Sequence, residues 1–246
     1  MDTELTNTQT LILLENALAY HQWVFEKIRP GLRGNVLEVG CGIGNLTGLL
    51  LNGTKVIASD VNEEYLQRVR DKYRSHPNLK EVLRWNVEED ISRDLNLRVD
   101  TIVCSNVLEH IKNDEAALKN FFQVLPEGGR LILFVPALKV LYNFLDKDLG
   151  HYRRYGRAEL IRKLRRNGFK ISLLKYFNFF GIFGWYVNGS LLKRRLLPAR
   201  QVRIFNRMVP LFIRMEKIIP APVGQSIVII GEKVQPAAEK RPSVEK

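Results

Sequence analysis

The sequence predicts an α/β fold built on a doubly wound parallel sheet, and three observations carry that prediction. Short β-branched runs alternate with amphipathic helix-length segments over the first 136 residues, as parallel strands joined by crossover helices require. The first of these runs passes straight into a glycine-rich turn, VLEVGCGIGN from Val36 to Asn45, and such a turn opens a helix onto a ligand. A length of 246 residues with 46% hydrophobic content suits one sizeable core better than two small domains.

In chain order, apolar residues at helical spacing (Leu11, Leu14, Leu18, Trp23, Phe25, Ile28) predict a covering helix from Leu11 to Ile28, ended by Pro30-Gly31. Strands are expected at Asn35–Val39, Lys55–Ser59, Glu81–Arg84, Thr101–Cys104 and Arg130–Val135. Helices are expected at Leu46–Leu51, Glu63–Tyr73 and Asp114–Val124. Beyond Pro136 a loop, LKVLYNFLDKDLGHYRRY, leads to a helix at Arg157–Arg166 and a strand at Phe169–Leu174. A last strand follows at Gln225–Lys233. The aromatic and basic stretch between these last two strands is too long for a hairpin and reads as a helical insertion capping the site. The organisation is therefore a covering helix (1–34), a core (35–136), a lid with the insertion and final strands of the same domain (137–233), and a disordered tail (234–246).

Charge is divided unevenly. Residues 1–130 carry 15 Lys and Arg against 19 Asp and Glu, and residues 131–246 carry 23 against 7. The C-terminal half is thus expected to meet something anionic. Charge is the sole sign of nucleic acid, so a nucleic-acid partner is not expected. Cys41 and Cys104 sit in apolar strand-like surroundings rather than in a disulfide or zinc pattern. The N-terminal MDTELTNTQT lacks the basic and apolar regions of a secretory signal. Both point to the cytoplasm.

The glycine turn decides the ligand. A dinucleotide fingerprint needs G-x-G-x-x-G, but Asn45 stands where its third glycine would be, and the third glycine here is Gly44. Glu38 places a carboxylate at the strand end, awkward beside a pyrophosphate and suited to an ammonium group. A ligand with an amino acid moiety is favoured over NAD.

The E-x-G-x-G-x-G run formed by Glu38, Gly40, Gly42 and Gly44 resembles motif I of the class I S-adenosylmethionine-dependent methyltransferases. Later motifs follow in order. The resemblance implies that Asp60, with Val61 beside it, accepts hydrogen bonds from the ribose, and that Asn86 and Val87 border the adenine. Many members have Asp where this chain has Asn86. DTIVCSNVLEHI resembles the fourth-strand motif, which puts Asn106 and Val107 beside the methionine portion, and LPEGGRLILFVPA resembles the turn and strand that follow. The likeness extends through YHQWVFEKIRP, LGHYRRYGRAEL, YFNFFGIFGWYVNG and PVGQSIVIIGEK to bacterial and archaeal members. It implies a Rossmann-like seven-stranded sheet with the last strand antiparallel, S-adenosyl-L-methionine as methyl donor, and methyl transfer to an acceptor it does not name. A nucleotide-dependent oxidoreductase and a non-catalytic module binding an anionic partner are the competing readings.

Cys41 reads as a small residue filling the turn, since nothing near it in sequence would activate a thiol. Tyr20 and Trp23 either cover the cofactor from the first helix or, as aromatics at helical spacing usually do, simply pack. His110 and His151 are the candidate bases near the transferred methyl. Tyr152, Arg153 and Arg154 are candidate contacts to an anionic substrate, with one arginine expected to pair with Asp146 or Asp148. No metal is expected, because Asn106 replaces the first Glu of the E-x-x-E-H arrangement that holds metal in some small-RNA and quinone methyltransferases. YFNFFGIFGWYVNGSLLKRR is too interrupted to span a membrane. With Trp185, Tyr186, Lys193, Arg194, Arg195 and the following basic helix, it suits an apolar lid or a contact with the inner face of the membrane. The expected acceptor is a small anionic or lipid- or glycan-linked molecule methylated at oxygen.

Overall fold

The computed structural model describes residues 3–89, 98–218 and 222–234. Its centre is a seven-stranded sheet made of β1 (Asn35–Val39), β2 (Lys55–Asp60), β3 (Leu79–Arg84), β4 (Thr101–Ser105), β5 (Arg130–Pro136), β6 (Phe169–Phe177) and β7 (Ser226–Lys233). The spatial order is β3-β2-β1-β4-β5-β7-β6. The first five strands run parallel, and β7 lies antiparallel to both β5 and β6. The predicted sheet, including its antiparallel last strand, is therefore present.

The central strands are hydrophobic on consecutive residues because both faces are covered. Leu37, Ile102, Cys104, Leu131, Leu133 and Val135 pack on one face with Phe121 of α5 (Asp114–Val124) and Leu160 and Leu164 of α7 (Arg157–Arg166). Val36, Val103, Ile132 and Phe134 point to the other, where they meet Trp23, Val24 and Ile28 of α2 (Leu18–Ile28) and Leu50 and Leu51 of α3 (Thr47–Leu51). The remaining helices are α1 (Thr3–Glu15), α4 (Glu63–Tyr73), α6 (Phe144–Asp148), α8 (Gly181–Tyr186) and α9 (Ala199–Ile218).

The expected first helix is two helices. Ala17 leaves helical geometry (φ −84°, ψ 54°), and the His21 ring contacts the Leu14 carbonyl at 2.9 Å, occupying an acceptor that a continuous helix would have used internally. Apolar spacing alone carries across such a break. The sixth strand also runs three residues beyond its expected end, to Phe177, because Lys175, Tyr176 and Phe177 continue the pairing with Val228, Ile227 and Ser226. The insertion after it holds α8, a π-turn at Val187–Leu191 and α9. Val209 and Phe212 of α9 are buried against the α2 face, and Phe180 stacks on Phe212 at 4.5 Å. Trp23 packs on Phe177 at 4.3 Å, consistent with its reading as a packing residue. No helix among the described residues is long and apolar enough to cross a membrane. Of the expected tail, residues 235–246 lie outside the described residues.

In a sheet of this order the direction of winding reverses between β1 and β4, and ligands bind beyond the carboxyl ends of the strands at such a point. Those ends are Val39 and Ser105, each followed by a residue with positive φ, Gly40 (+71°) and Asn106 (+53°).

Candidate functional site

A cavity of about 1360 Å³ opens at this point. Its floor is the turn after β1. Gly40 N–H and Cys41 N–H both donate to the Ser59 carbonyl, at 2.8 and 2.9 Å. Gly42 N–H donates to Asp60 Oδ2 at 2.9 Å, and Asn62 N–H donates to Asp60 Oδ1 at 3.0 Å. The end of β2 thus fixes the turn, and the positive φ of Gly40, Gly42 and Gly44 is what the turn demands. A side chain at Gly40 would also overlap Val107.

Glu38 is buried beneath this turn and accepts the Thr47 hydroxyl at 2.6 Å. Burial pushes its pKa up to about 8, with the Thr47 hydrogen bond opposing and the Asp60 charge adding. Burial also raises Asp60, against hydrogen bonds from the backbone of Asn62, Gly42 and Val61. Two carboxyl groups therefore face one end of the cavity with their charge poorly stabilised, which suits a ligand that brings a cationic group and hydroxyl donors. Burial lifts the Cys41 and Cys104 thiols above their ordinary range, so neither is a thiolate nucleophile.

The opposite end is built by the short turn after β4 and the loop after α6. Glu109 is fully buried, and both of its carboxyl oxygens lack a hydrogen-bond partner. Burial pushes its pKa up to about 7, with the charges of His151 and Arg154 opposing. Burial and then His151 depress His110 to about 3, so it is neutral, and its ring meets that of His151 edge-on at 4.6 Å. His151 Nδ1 lies 2.8 Å from Asp146 Oδ1. That carboxylate also accepts from Arg154 Nε at 2.8 Å, Trp185 Nε1 at 3.1 Å and Asn143 N–H at 3.0 Å. Burial alone would raise Asp146, but the His151 hydrogen bond and the Arg154 charge outweigh it and hold the group below its ordinary value.

Both ends belong to the same cavity. Of the residues singled out by sequence, Glu38, Gly40, Cys41, Gly42, Asp60, Val61, Asn86, Val87, Asn106, Val107, His110, His151 and Arg154 line it, as does Tyr20. Trp185 and Arg195 line it too, whereas Gly44, Tyr152 and Arg153 do not. Gly44 sits behind the turn, its carbonyl accepting the Tyr73 hydroxyl at 2.9 Å. Tyr152 is exposed, and Arg153 is held away by Asp114 at 3.0 Å and the Lys112 carbonyl at 2.7 Å. Arg154 is the arginine expected to pair with Asp146, and it also stacks over Trp185 at 4.8 Å. The Asn86 amide is engaged in its own loop, donating to Glu89 Oε1 and accepting from Glu88 N–H.

Sequence reasoning did not single out Asp146 as the partner of His151. One ligand atom each from Glu109, His110 and His151 falls within 4.8 Å of the others, so this end has the donors to hold a divalent cation despite the expectation of none.

Residues 17–174 match the family model for the methyltransferase domain. The chain is 28% identical over 149 residues to nodulation protein S of Azorhizobium caulinodans, covering 59% of this chain and 66% of that protein, or about two thirds of its length. It is 27% identical over 157 residues to an uncharacterised methyltransferase of Bacillus cereus, covering 63% of this chain and 71% of the relative. Its fold is similar to that of an S-adenosylmethionine-dependent methyltransferase from Clostridium acetobutylicum, with a TM-score of 0.58 and 15% identity over 89% of this chain and 93% of that one. The glycine turn, with two carboxyl groups that form no ion pair among the described residues, fits a sulfonium amino acid nucleoside. The chain belongs to the methyltransferase-domain family and is an S-adenosylmethionine-dependent methyltransferase.

Proposed function

We propose that this enzyme methylates an oxygen of an anionic small molecule or of a lipid- or glycan-linked acceptor, working at the inner face of the membrane. The observation that carries the reading is that one cavity joins the glycine turn, with Glu38 and Asp60, to the His151–Asp146 pair. Glu38, Gly40, Cys41, Gly42, Asp60, Val61, Asn86, Val87, Asn106 and Val107 would hold S-adenosylmethionine, which when bound supplies an electrophilic methyl on a sulfonium. Asp60 would accept from the ribose, and Glu38 from the ammonium group.

At the other end, Asp146 is an ionised acceptor with Arg154, Trp185 and Asn143 N–H fixing its position. It holds the His151 proton on Nδ1 and leaves the Nε2 lone pair for the proton of an acceptor hydroxyl. Asp146 then stabilises the imidazolium that forms, as does Glu109 when ionised. His110, neutral at working pH, meets the His151 ring edge-on. The Leu11, Leu14, Trp185 and Val187 side chains around the cavity limit water there. That matters because positive charge on sulfur disperses as the methyl moves, so an apolar wall favours the transition state over the reactants.

Labelled S-adenosylmethionine incubated with fractionated cell extract should transfer label to one class of acceptor. His151→Ala should lower that transfer by about 10²-fold or more while S-adenosylhomocysteine still raises the melting temperature; unchanged turnover on the true acceptor rejects His151 as the base. A second reading rests on the Glu109, His110 and His151 donors, in which a divalent cation binds the acceptor oxygen. Activity abolished by chelation and restored by one metal would favour it over proton transfer to His151.

A further inference from the structure

One face of α9 has no explanation in the fold. Val202, Val209 and Phe212 bury one side of this helix, yet Ile204, Met208, Leu211, Met215 and Ile218 are exposed, between 41% and 79%. Their separations alternate four and three residues, which places them on a single line along the helix. Arg200, Arg203, Arg207 and Arg214 are exposed along the next line, and none of them forms an ion pair among the described residues. Next to the helix, Phe183, Tyr186, Val187, Leu191 and Leu192 are exposed as well, with Lys193 and Arg195 following. Scattered surface apolar residues need no explanation, but an ordered line bordered by arginines does.

Trp185 does not belong to this surface, although its composition suggested an interfacial anchor. Its indole N–H is committed to Asp146 and its ring lies under Arg154.

We infer that the outer face of α9, with the exposed side of α8 and the π-turn, docks on an anionic lipid bilayer, and that an amphiphilic acceptor enters the cavity from that bilayer. Two arguments favour lipid over a second copy of this chain. Glu216, an acid on α9, is occupied by Lys27 and Phe179 N–H, so a symmetric pairing of the two faces would set arginine rows against each other without counter-charge. A bilayer carrying anionic headgroups supplies that counter-charge to arginines while the adjacent apolar line enters the acyl boundary. The second argument is continuity. Phe183, Val187, Ile204 and Met208 belong both to this exposed surface and to the wall of the cavity. An apolar tail lying along α9 would therefore lead its head group toward His151.

The route taken by the acceptor rests on the methyl-transfer reading; the docking itself does not. Flotation of the full chain with phosphatidylcholine vesicles, with and without phosphatidylglycerol, tests it. Co-flotation is expected with the anionic vesicles alone and should fall in high salt. Leu211→Asp with Met215→Asp, and separately Arg203→Glu with Arg207→Glu, should each weaken it by more than about tenfold. The melting-temperature shift on S-adenosylhomocysteine should persist in both double variants, showing that the fold and the opposite end of the cavity are intact. Absence of binding to anionic vesicles, equal flotation of wild type and both variants, or a concentration-dependent dimer that either variant dissolves would overturn the inference.

Discussion

His151 Nδ1 and Asp146 Oδ1 are 2.8 Å apart, and Arg154 Nε meets the same oxygen at 2.8 Å. One buried carboxylate therefore both orients a histidine and neutralises a buried arginine. Removing it leaves the Arg154 charge without a partner, so Asp146→Ala should destabilise the protein by about 3–5 kcal/mol in urea denaturation. A loss below about 1 kcal/mol would mean that water, not Asp146, compensates Arg154.

Glu38 should make cofactor binding depend on pH. Burial places its pKa near 8, so below that it is mostly protonated, whereas a cationic amino group on the ligand favours the carboxylate. Affinity for S-adenosylmethionine should rise by more than about tenfold between pH 6 and pH 8 and then level off. Glu38→Gln should flatten that rise and weaken binding at pH 8. Calorimetric titration across the range checks both, and equal affinities for the two proteins at pH 8 would remove Glu38 from the ammonium site.

Glu109 carries a stability cost at alkaline pH. Its folded pKa, pushed up to about 7, exceeds the ordinary 4.5 expected when unfolded. Its contribution is thus intact below pH 4.5 and is lost as pH rises through 7. At pH 8, Glu109→Gln should stabilise the protein by roughly 1–3 kcal/mol, and at pH 4 the difference should vanish. A variant less stable than wild type at pH 8 would contradict the unpartnered state of this carboxyl group.

Gly40 has φ of +71° and faces Val107. Gly40→Ala should cost about 1–2 kcal/mol of stability and displace the turn, reducing the melting-temperature shift on S-adenosylhomocysteine. A full shift in this variant would show that the turn tolerates a side chain.

Arg153→Ala should leave KM for the acceptor within about twofold of wild type, because Arg153 pairs with the buried Asp114 and does not line the cavity. A KM raised tenfold would return Arg153 to the substrate.

The sheet was legible because its central strands are short and mostly apolar and the turn after the first is marked by glycine, so VLEV, KVIAS and TIVCS announce themselves without context. The glycine-turn end of the cavity was legible for the same reason: Glu38, Gly40, Gly42 and Asp60 sit at strand ends, where local spacing fixes position. The histidine end was only partly so. His110 and His151 were identifiable by type, but their meeting depends on the path of a long loop. Asp146 and Arg154 find each other across a short helix that no periodicity announces. Arg153 and Arg154 are adjacent in sequence and opposite in fate, since one faces Asp114 and the other Asp146. The break between α1 and α2 was hidden because apolar spacing continues through Ala17.

In the proposed reaction one cavity holds methyl donor and acceptor together. Its most direct test is transfer of label from S-adenosylmethionine to membrane-extracted anionic acceptors by wild type, with Asp60→Ala and His151→Ala alongside. Wild type should label an acceptor fraction; Asp60→Ala should do so only at raised cofactor concentration, and His151→Ala slowly at any. Full cofactor binding with no labelled product from any fraction, lipid or soluble, would contradict it.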